Sequence, residues 1–457
     1  MEANLDKAIT YFRQNKDQFI GELQELLRIP SVSTDTAKKA DVQRAAEWIA
    51  SQLKSIGIEH INIFPTSIHP IIYGDYLKAR KNVPTVLVYG HYDVQPAEPL
   101  ELWHSDPFEP VIKDGNLYAR GASDMKGQLI ASLKAIQSIM VQGSFPVNLK
   151  FLFEGEEEIG SPSLRNFIEK NKEMLASDVA LNPDTGIIDV DLPTIVYGLR
   201  GLAYFELHVY GPDHDLHSGV YGGVIQNPAD ALCALIGGLH DKDGKVTLDG
   251  FYDRVRSLSD EERAELARLP MDDAFYLKQT GAPAVWGEKG FTSTERIGAR
   301  PTLDVNGLYS GFTGEGSKTI IPAWAMAKIS SRLVPDQDPE EVHQQLLAYL
   351  RKNAPKTIRW ELSYLSGAPA CLVDRNHPAC KALSKAMEEV WGKRPVFQRE
   401  GGSVPVATDM QEVLKIDSVL TGFGLPDDNI HAPNEKLNLT AWSRGVETLI
   451  RFFYNLA

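Results

Sequence analysis

Cysteine is scarce in this chain of 457 residues: the three present, Cys233, Cys371 and Cys380, have neither the spacing of a disulfide framework nor that of a cysteine-based zinc site. A reducing cytoplasm is the home this implies. Long apolar runs are missing too. No uncharged stretch reaches membrane-spanning length, and the opening MEANLDKAITYFRQNKDQFI interleaves charges with apolar residues, without the apolar core and cleavage site of a signal peptide. Excess positive charge is also absent, since 61 Asp and Glu outnumber 47 Lys and Arg, and the net charge of -14 repels phosphate backbones. Neither nucleic acid nor membrane is an expected partner. There is no internal repeat, low-complexity tract or Gly/Ser linker. What is present, 43% hydrophobic and 24% charged residues, excludes disorder, collagen and coiled coil, and the length predicts two or three domains.

Domain boundaries must then come from the rhythm of elements. Apolar residues at intervals of three and four predict helices over residues 5–29 and 42–56. Strands and helices alternate from there: VPTVLVY at 83–89 reads as a buried strand, 128–140 as a helix, VNLKFLF at 147–153 as a strand and 179–181 as a short strand. Ser161 followed by Pro162 predicts a capped helix start. This alternation predicts an α/β fold with a mostly parallel sheet and flanking helices. LAYFELHVY at 202–210 instead alternates apolar and polar residues, as does 325–333, which suits a sheet with one wet face. A helical and loop stretch over 227–269 lies between them. The first pattern resumes at Asn376, through a strand at 418–423 to a final helix from Thr440. The expectation is a discontinuous α/β domain, 1–198 with 368–457, interrupted by an α+β domain at 199–367.

Acidic and histidine residues fall just beyond successive predicted strands: His91 and Asp93 in GHYDV, Asp124 in SDMKG, Glu154 to Glu158 in EGEEE, Asp184 in NPD and, far downstream, His431. The carboxyl ends of strands in such sheets form the ligand crevice, so these groups are placed to converge. Each has a plainer reading. His91 and Asp93 suit a hydrogen-bonded turn, Ser123-Asp124 a helix cap, and consecutive glutamates a solvated helix start. Their recurrence at equivalent positions of successive elements favours a metal site built from two histidines and several carboxylates.

The ordered motifs GHYDV, GASDMKGQ, EGEEEIGS, DLHSGVYGG, ISSRLVP, EGGSVP and HAPNEK resemble those of the dinuclear zinc peptidases that include carnosinase, aminoacylase and glutamate carboxypeptidase, and most of all the carnosinase-like cytosolic nonspecific dipeptidases. The resemblance runs from about residue 20 to 450. It implies a zinc-peptidase-like catalytic domain, with the insert as a lid and dimerisation domain, holding two divalent ions per subunit: zinc, or manganese or cobalt, which suit the same donors. His91, Asp124 and Asp184 would hold one ion, and Asp124, Glu158 and His431 the other. Asp93 would orient His91. Water between the ions would be the nucleophile and Glu157 its general base. Glu154 and Glu156 are left as supporting or surface groups without a role.

The same resemblance makes His217 a donor to the substrate carbonyl, delivered from the partner subunit of a homodimer. Arg332 becomes the clamp on the substrate carboxylate, and Thr319, Gly402 and Ser403 further substrate contacts. The expected activity is hydrolysis of dipeptides. Its alternative is removal of an acyl group from an N-acyl amino acid, deacylase or desuccinylase chemistry, in the same family; Asp184 rather than Glu at its ligand position and the long insert favour the dipeptidase. Two other signals are set aside. Asp241-Lys242-Asp243-Gly244 has its glycine too early for a calcium loop, and EGGSVP lacks the second glycine of a nucleophile elbow.

Overall fold

The computed structural model describes residues 2–402 and 405–457. They divide into two compact units, 2–197 with 373–397 and 405–457, and 198–372 with 398–402.

The first unit is built on a twisted sheet in the order Glu59–Phe64, Ile71–Tyr76, Asn148–Glu154, Thr85–His91, Val179–Asn182, Ser418–Leu420, Thr194–Leu199. Its centre is parallel and its rims antiparallel. Thr85–His91 has parallel neighbours on both sides and is buried from Val86 to His91, which is why VLVYGH reads as a continuous run rather than an alternation. The central helix Lys126–Met140 is likewise buried almost all round. It packs between the first helix, Glu2–Leu27, and the last, Leu439–Leu456, so both ends of the chain close over one core. Trp442, fully buried, donates its indole N–H to the Gly127 carbonyl at 2.9 Å. No other residue fits at 127, since a Cβ there would lie 2.1 Å from the Ala122 carbonyl oxygen.

The predicted elements appear with their ends moved by a few residues, with one correction. Ser161 and Pro162 do not start a helix: the helix is Leu164–Lys170, and Ser161 takes a left-handed backbone, φ 52°, with its hydroxyl donating to Glu154. A buried carboxylate has taken the hydroxyl that a cap would need. The strands Glu59–Phe64 and Ile71–Tyr76 and their antiparallel pairing were not foreseen.

In the second unit, Thr302–Ser310, Trp324–Leu333, Gly201–Tyr210 and Arg359–Ala368 form an antiparallel sheet in that order. Alternate residues, Ala203, Phe205, Leu207 and Val209 among them, face a core shared with the helices Pro228–Gly237 and Pro339–Asn353. The intervening residues, including Leu202, Tyr204 and Glu206, are only half-buried, the one wet face that the alternation predicts.

Candidate metal centre

His91 ends the central strand and is fully buried, so its ring cannot swing into solvent. Its Nδ1 lies 3.1 Å from the Asp93 carbonyl oxygen, and its Nε2 lies 3.1 Å from Asp124 Oδ1 and 3.7 Å from Asp184 Oδ1. On the other side of the same aspartate, His431 Nε2 is 2.8 Å from Asp124 Oδ2 and 3.2 Å from Glu158 Oε2. Two groups result, His91 with Asp124 and Asp184, and Asp124 with Glu158 and His431, the donor atoms of each lying within 4.8 Å of one another. Asp124 belongs to both and turns one oxygen to each.

The supporting contacts explain why these side chains stand where they do. Asp93 accepts the backbone N–H groups of Glu157 and Glu158 at 3.2 and 3.0 Å, while its carboxylate is 3.5 Å from His91 Nδ1. It therefore locks the acidic turn to the histidine strand, and the closer contact to the ring comes from its backbone carbonyl. Gln95 donates to Glu158 Oε2 at 2.8 Å. Glu435, fully buried, takes four donors from the segment that carries Asp124: Arg120 Nη1 and the N–H of Gly121, both at 2.8 Å, and the N–H groups of Ser123 and Asp124 at 2.9 and 3.0 Å. Sequence reasoning gave Glu435 no role, because a glutamate between Asn434 and Lys436 looks like surface.

Asp124 does not cap a helix, since Lys126–Met140 has Met125 before it and no side-chain cap bond. Nor are Glu154 and Glu156 surface groups. Both are 1% exposed. Glu156 accepts from the hydroxyl of Thr66, the N–H of His69 and the N–H of Ser163, at 2.5, 2.9 and 3.0 Å. Glu154 takes the hydroxyls of Tyr89 and Ser161 at 2.8 and 2.9 Å, and burial, with Asp93 adding, pushes its pKa up to about 8.

The site is short of positive charge. Hydrogen bonds to Asp124 and Glu158 push His431 up to about 10, and His91 rises too, because bonds to Asp124, Asp184 and Asp93 outweigh its burial. Burial would raise Asp124, but the hydrogen bonds from the two histidines hold it well below the usual carboxylate range. Burial pushes Glu157 up to about 9; the His91 charge opposes this, and the neighbouring carboxylates Asp184, Glu158 and Asp124 reinforce it. Imidazole and carboxylate donors in tetrahedral contact with one divalent ion stand about 3.3 to 3.6 Å apart, close to the separations here. The donor set fits two such ions, which would replace the protons that the histidines otherwise hold.

In the second unit His217 is exposed, with Nδ1 accepting the Gly219 N–H at 3.0 Å, and pairs in a short ribbon with Ile320, beside Thr319. Arg332 lies on the wet face of the sheet with Arg200 nearby, whose Nε donates to the Gly401 carbonyl at 3.4 Å, next to Gly402. Ser403 lies outside the described residues. Among the described residues no further group of donors meets the metal geometry.

The profile of peptidase family M20/M25/M40 matches residues 87–455. The chain belongs to that family. Among M20 relatives, the "Cys-Gly metallodipeptidase dug1" of Schizosaccharomyces pombe is 32% identical, covering 100% of this chain and 99% of its own. The "Beta-Ala-His dipeptidase" of Homo sapiens is 30% identical, over 100% of this chain and 93% of its own. The crystal structure of an M20 metallo-carboxypeptidase, Sso-CP2 from Sulfolobus solfataricus, superposes with a TM-score of 0.84 at 34% identity, over 96% of this chain and 99% of the other. The M20 assignment makes the chain a metal-dependent peptidase. No helix among the described residues is long and apolar enough to cross a membrane.

Proposed function

We propose that the protein is a dipeptidase working with two divalent ions, zinc in the first place and manganese or cobalt on the same donors. The observation that carries this is the single carboxylate, Asp124, offering one oxygen to each of two donor groups with Glu157 in their midst. His91, Asp124 and Asp184 would hold one ion, and Asp124, Glu158 and His431 the other. When bound, the ions polarise the scissile carbonyl and make water acidic enough to attack near neutral pH. Glu157, which the charge of the ions would return to its ionised form, takes the proton of the attacking water on its carboxylate and passes it to the leaving amine nitrogen. Asp93 keeps the His91 ring and the Glu157 turn in fixed register. Arg332 binds the carboxylate of the substrate, with Thr319, Gly402 and Ser403 along its backbone, and His217 donates a hydrogen bond to the carbonyl oxygen as charge develops there.

The two relatives named for peptides share only the length of their substrates, two residues, and this speaks for dipeptides rather than N-acyl amino acids. Two further parts of the reading are a homodimer in which His217 serves the partner's site and a cytoplasmic location, which the scarcity of cysteine suits. The test is a hydrolysis panel after metal reconstitution: dipeptides, tripeptides, and N-acetyl and N-succinyl amino acids. Turnover of dipeptides well ahead of the rest is expected. Preference for the acylated amino acids would replace this reading with a deacylase.

A further inference from the structure

The second unit contains a cavity of about 380 Å³, within the range of about 300 to 1,000 Å³ that small-molecule sites occupy. Its walls come from the helices Asp273–Thr280 and Ser293–Ala299, the loop that joins them, His240 and the start of the strand Thr302–Ser310. Val246, Leu277, Val285, Trp286 and Ile297 make most of the surface apolar. Two of the charges on the wall face each other. Arg300 forms a two-point pair with Glu288 at 2.7 and 2.8 Å, and Arg296 donates to the Glu288 carbonyl at 2.9 Å. His240 stands edge-on to Trp286, and burial lowers its pKa, so the ring is neutral. One polar group is left over: the buried Tyr276 hydroxyl has no hydrogen-bond partner among the described residues.

The position of the cavity gives these walls a meaning. Thr302 and Asp304, at one end of the cavity, pair in the sheet with Arg332 and Ser330, while Leu303 between them turns into the core. Alternation therefore puts Thr302, Asp304 and Arg332 on one face. Arg200 lines the same end, and burial together with the neighbouring Arg332 pulls its pKa down to about 10. A peptide whose terminal carboxylate is held by Arg332 would have its last residue beside the end of the cavity that Thr302 and Arg200 line.

The geometry points to the cavity as the pocket for the side chain of the substrate's carboxyl-terminal residue, and to a bulky apolar or aromatic side chain as its occupant. The inference rests on the reading of Arg332 as the carboxylate clamp. Arg300 is taken up by Glu288, and the apolar walls reward burial of a ring. The Tyr276 hydroxyl supplies a hydrogen bond to a polar tip such as a tyrosine phenol.

The test measures kcat/KM of the metal-loaded full chain for Ala-Gly, Ala-Phe and Ala-Tyr. Ala-Phe is expected to exceed Ala-Gly by about tenfold or more, the scale on which apolar pockets discriminate. Ala284 sits in the exposed loop that walls the cavity, so Ala284→Trp fills it without entering a packed core, and the ratio of Ala-Phe to Ala-Gly should collapse. Tyr276→Phe should lower Ala-Tyr relative to Ala-Phe by several-fold. A wild type indifferent to the last side chain, or a ratio that Ala284→Trp leaves unchanged, overturns the pocket while the dipeptidase reading stands. A wild type that cleaves none of the three overturns both.

Discussion

Five residues in sequence, Glu154 to Glu158, contain four carboxylates whose surroundings give each a different task. Glu157 has its carboxyl among the metal donors but is not one of them, so Glu157→Gln should keep two metals per chain and lose at least about a hundredfold in kcat. Metal content by elemental analysis alongside kinetics checks both halves. Glu158→Gln removes a donor and should lose metal as well as rate. Glu156→Gln should do neither per folded molecule, but weaken folding by about 1 to 3 kcal/mol by leaving some of the donors from Thr66, His69 and Ser163 unmatched, read from denaturant midpoints. If Glu156→Gln alone abolished turnover in a fully folded protein, the roles along this run would have to move by one residue. The sequence made His91, Asp124, Glu158 and His431 visible because each follows an apolar strand or repeats a known motif. It hid the burial of Glu154 and Glu156, since a run of glutamates has the composition of a solvated helix start and nothing local announces the distant hydroxyls and amides that satisfy it.

At the scale of elements, the centre depends on how two loops are tied. Residues 120–124 bring in Asp124 and residues 421–435 bring in His431, and Glu435 joins them through four hydrogen bonds. Glu435→Gln turns one acceptor into a donor facing N–H groups that already donate. Metal affinity should fall about 10 to 100-fold, the usual cost of disturbing the partners of metal ligands. Titration of the metal-free protein with zinc would measure it, and unchanged affinity would show that the loops hold their register without this residue. Asp124→Ala should go further and lose both ions, against two per chain for the wild type; loss of only one would remove its bridging role. The alternation of strands and helices in the first unit was legible because parallel strands buried on both faces are continuously apolar. The antiparallel rim was not. Glu59–Phe64 reads EHINIF, a short stretch with charge in it, and its pairing with Ile71–Tyr76 is set by the sheet it joins rather than by its own composition.

At the scale of the molecule, the proposed dimer makes a prediction that a monomer does not. If His217 of one chain completes the site holding Glu157 of the other, then Glu157→Ala and His217→Ala proteins, each inactive alone, should recover about a quarter of wild-type activity after subunit exchange, because random pairing makes half the dimers mixed and each mixed dimer has one intact site. Verified exchange with no recovery would place His217 in its own chain's site. The sheet itself carries another consequence. Ser418–Leu420 lies between Val179–Asn182 and Thr194–Leu199, bonded in parallel to one and antiparallel to the other. During translation those two segments leave the ribosome long before the strand that belongs between them, with the whole of residues 198–372 made in the interval. The nascent chain must wait with that slot unfilled, its strand edges open to wrong partners, until residues 418–420 have been synthesised. His431 arrives later still. A chain released early, at residue 415 for example, should stay sensitive to added protease throughout the first unit and bind no pair of ions, so the peptidase cannot begin to cut before His431 has been added.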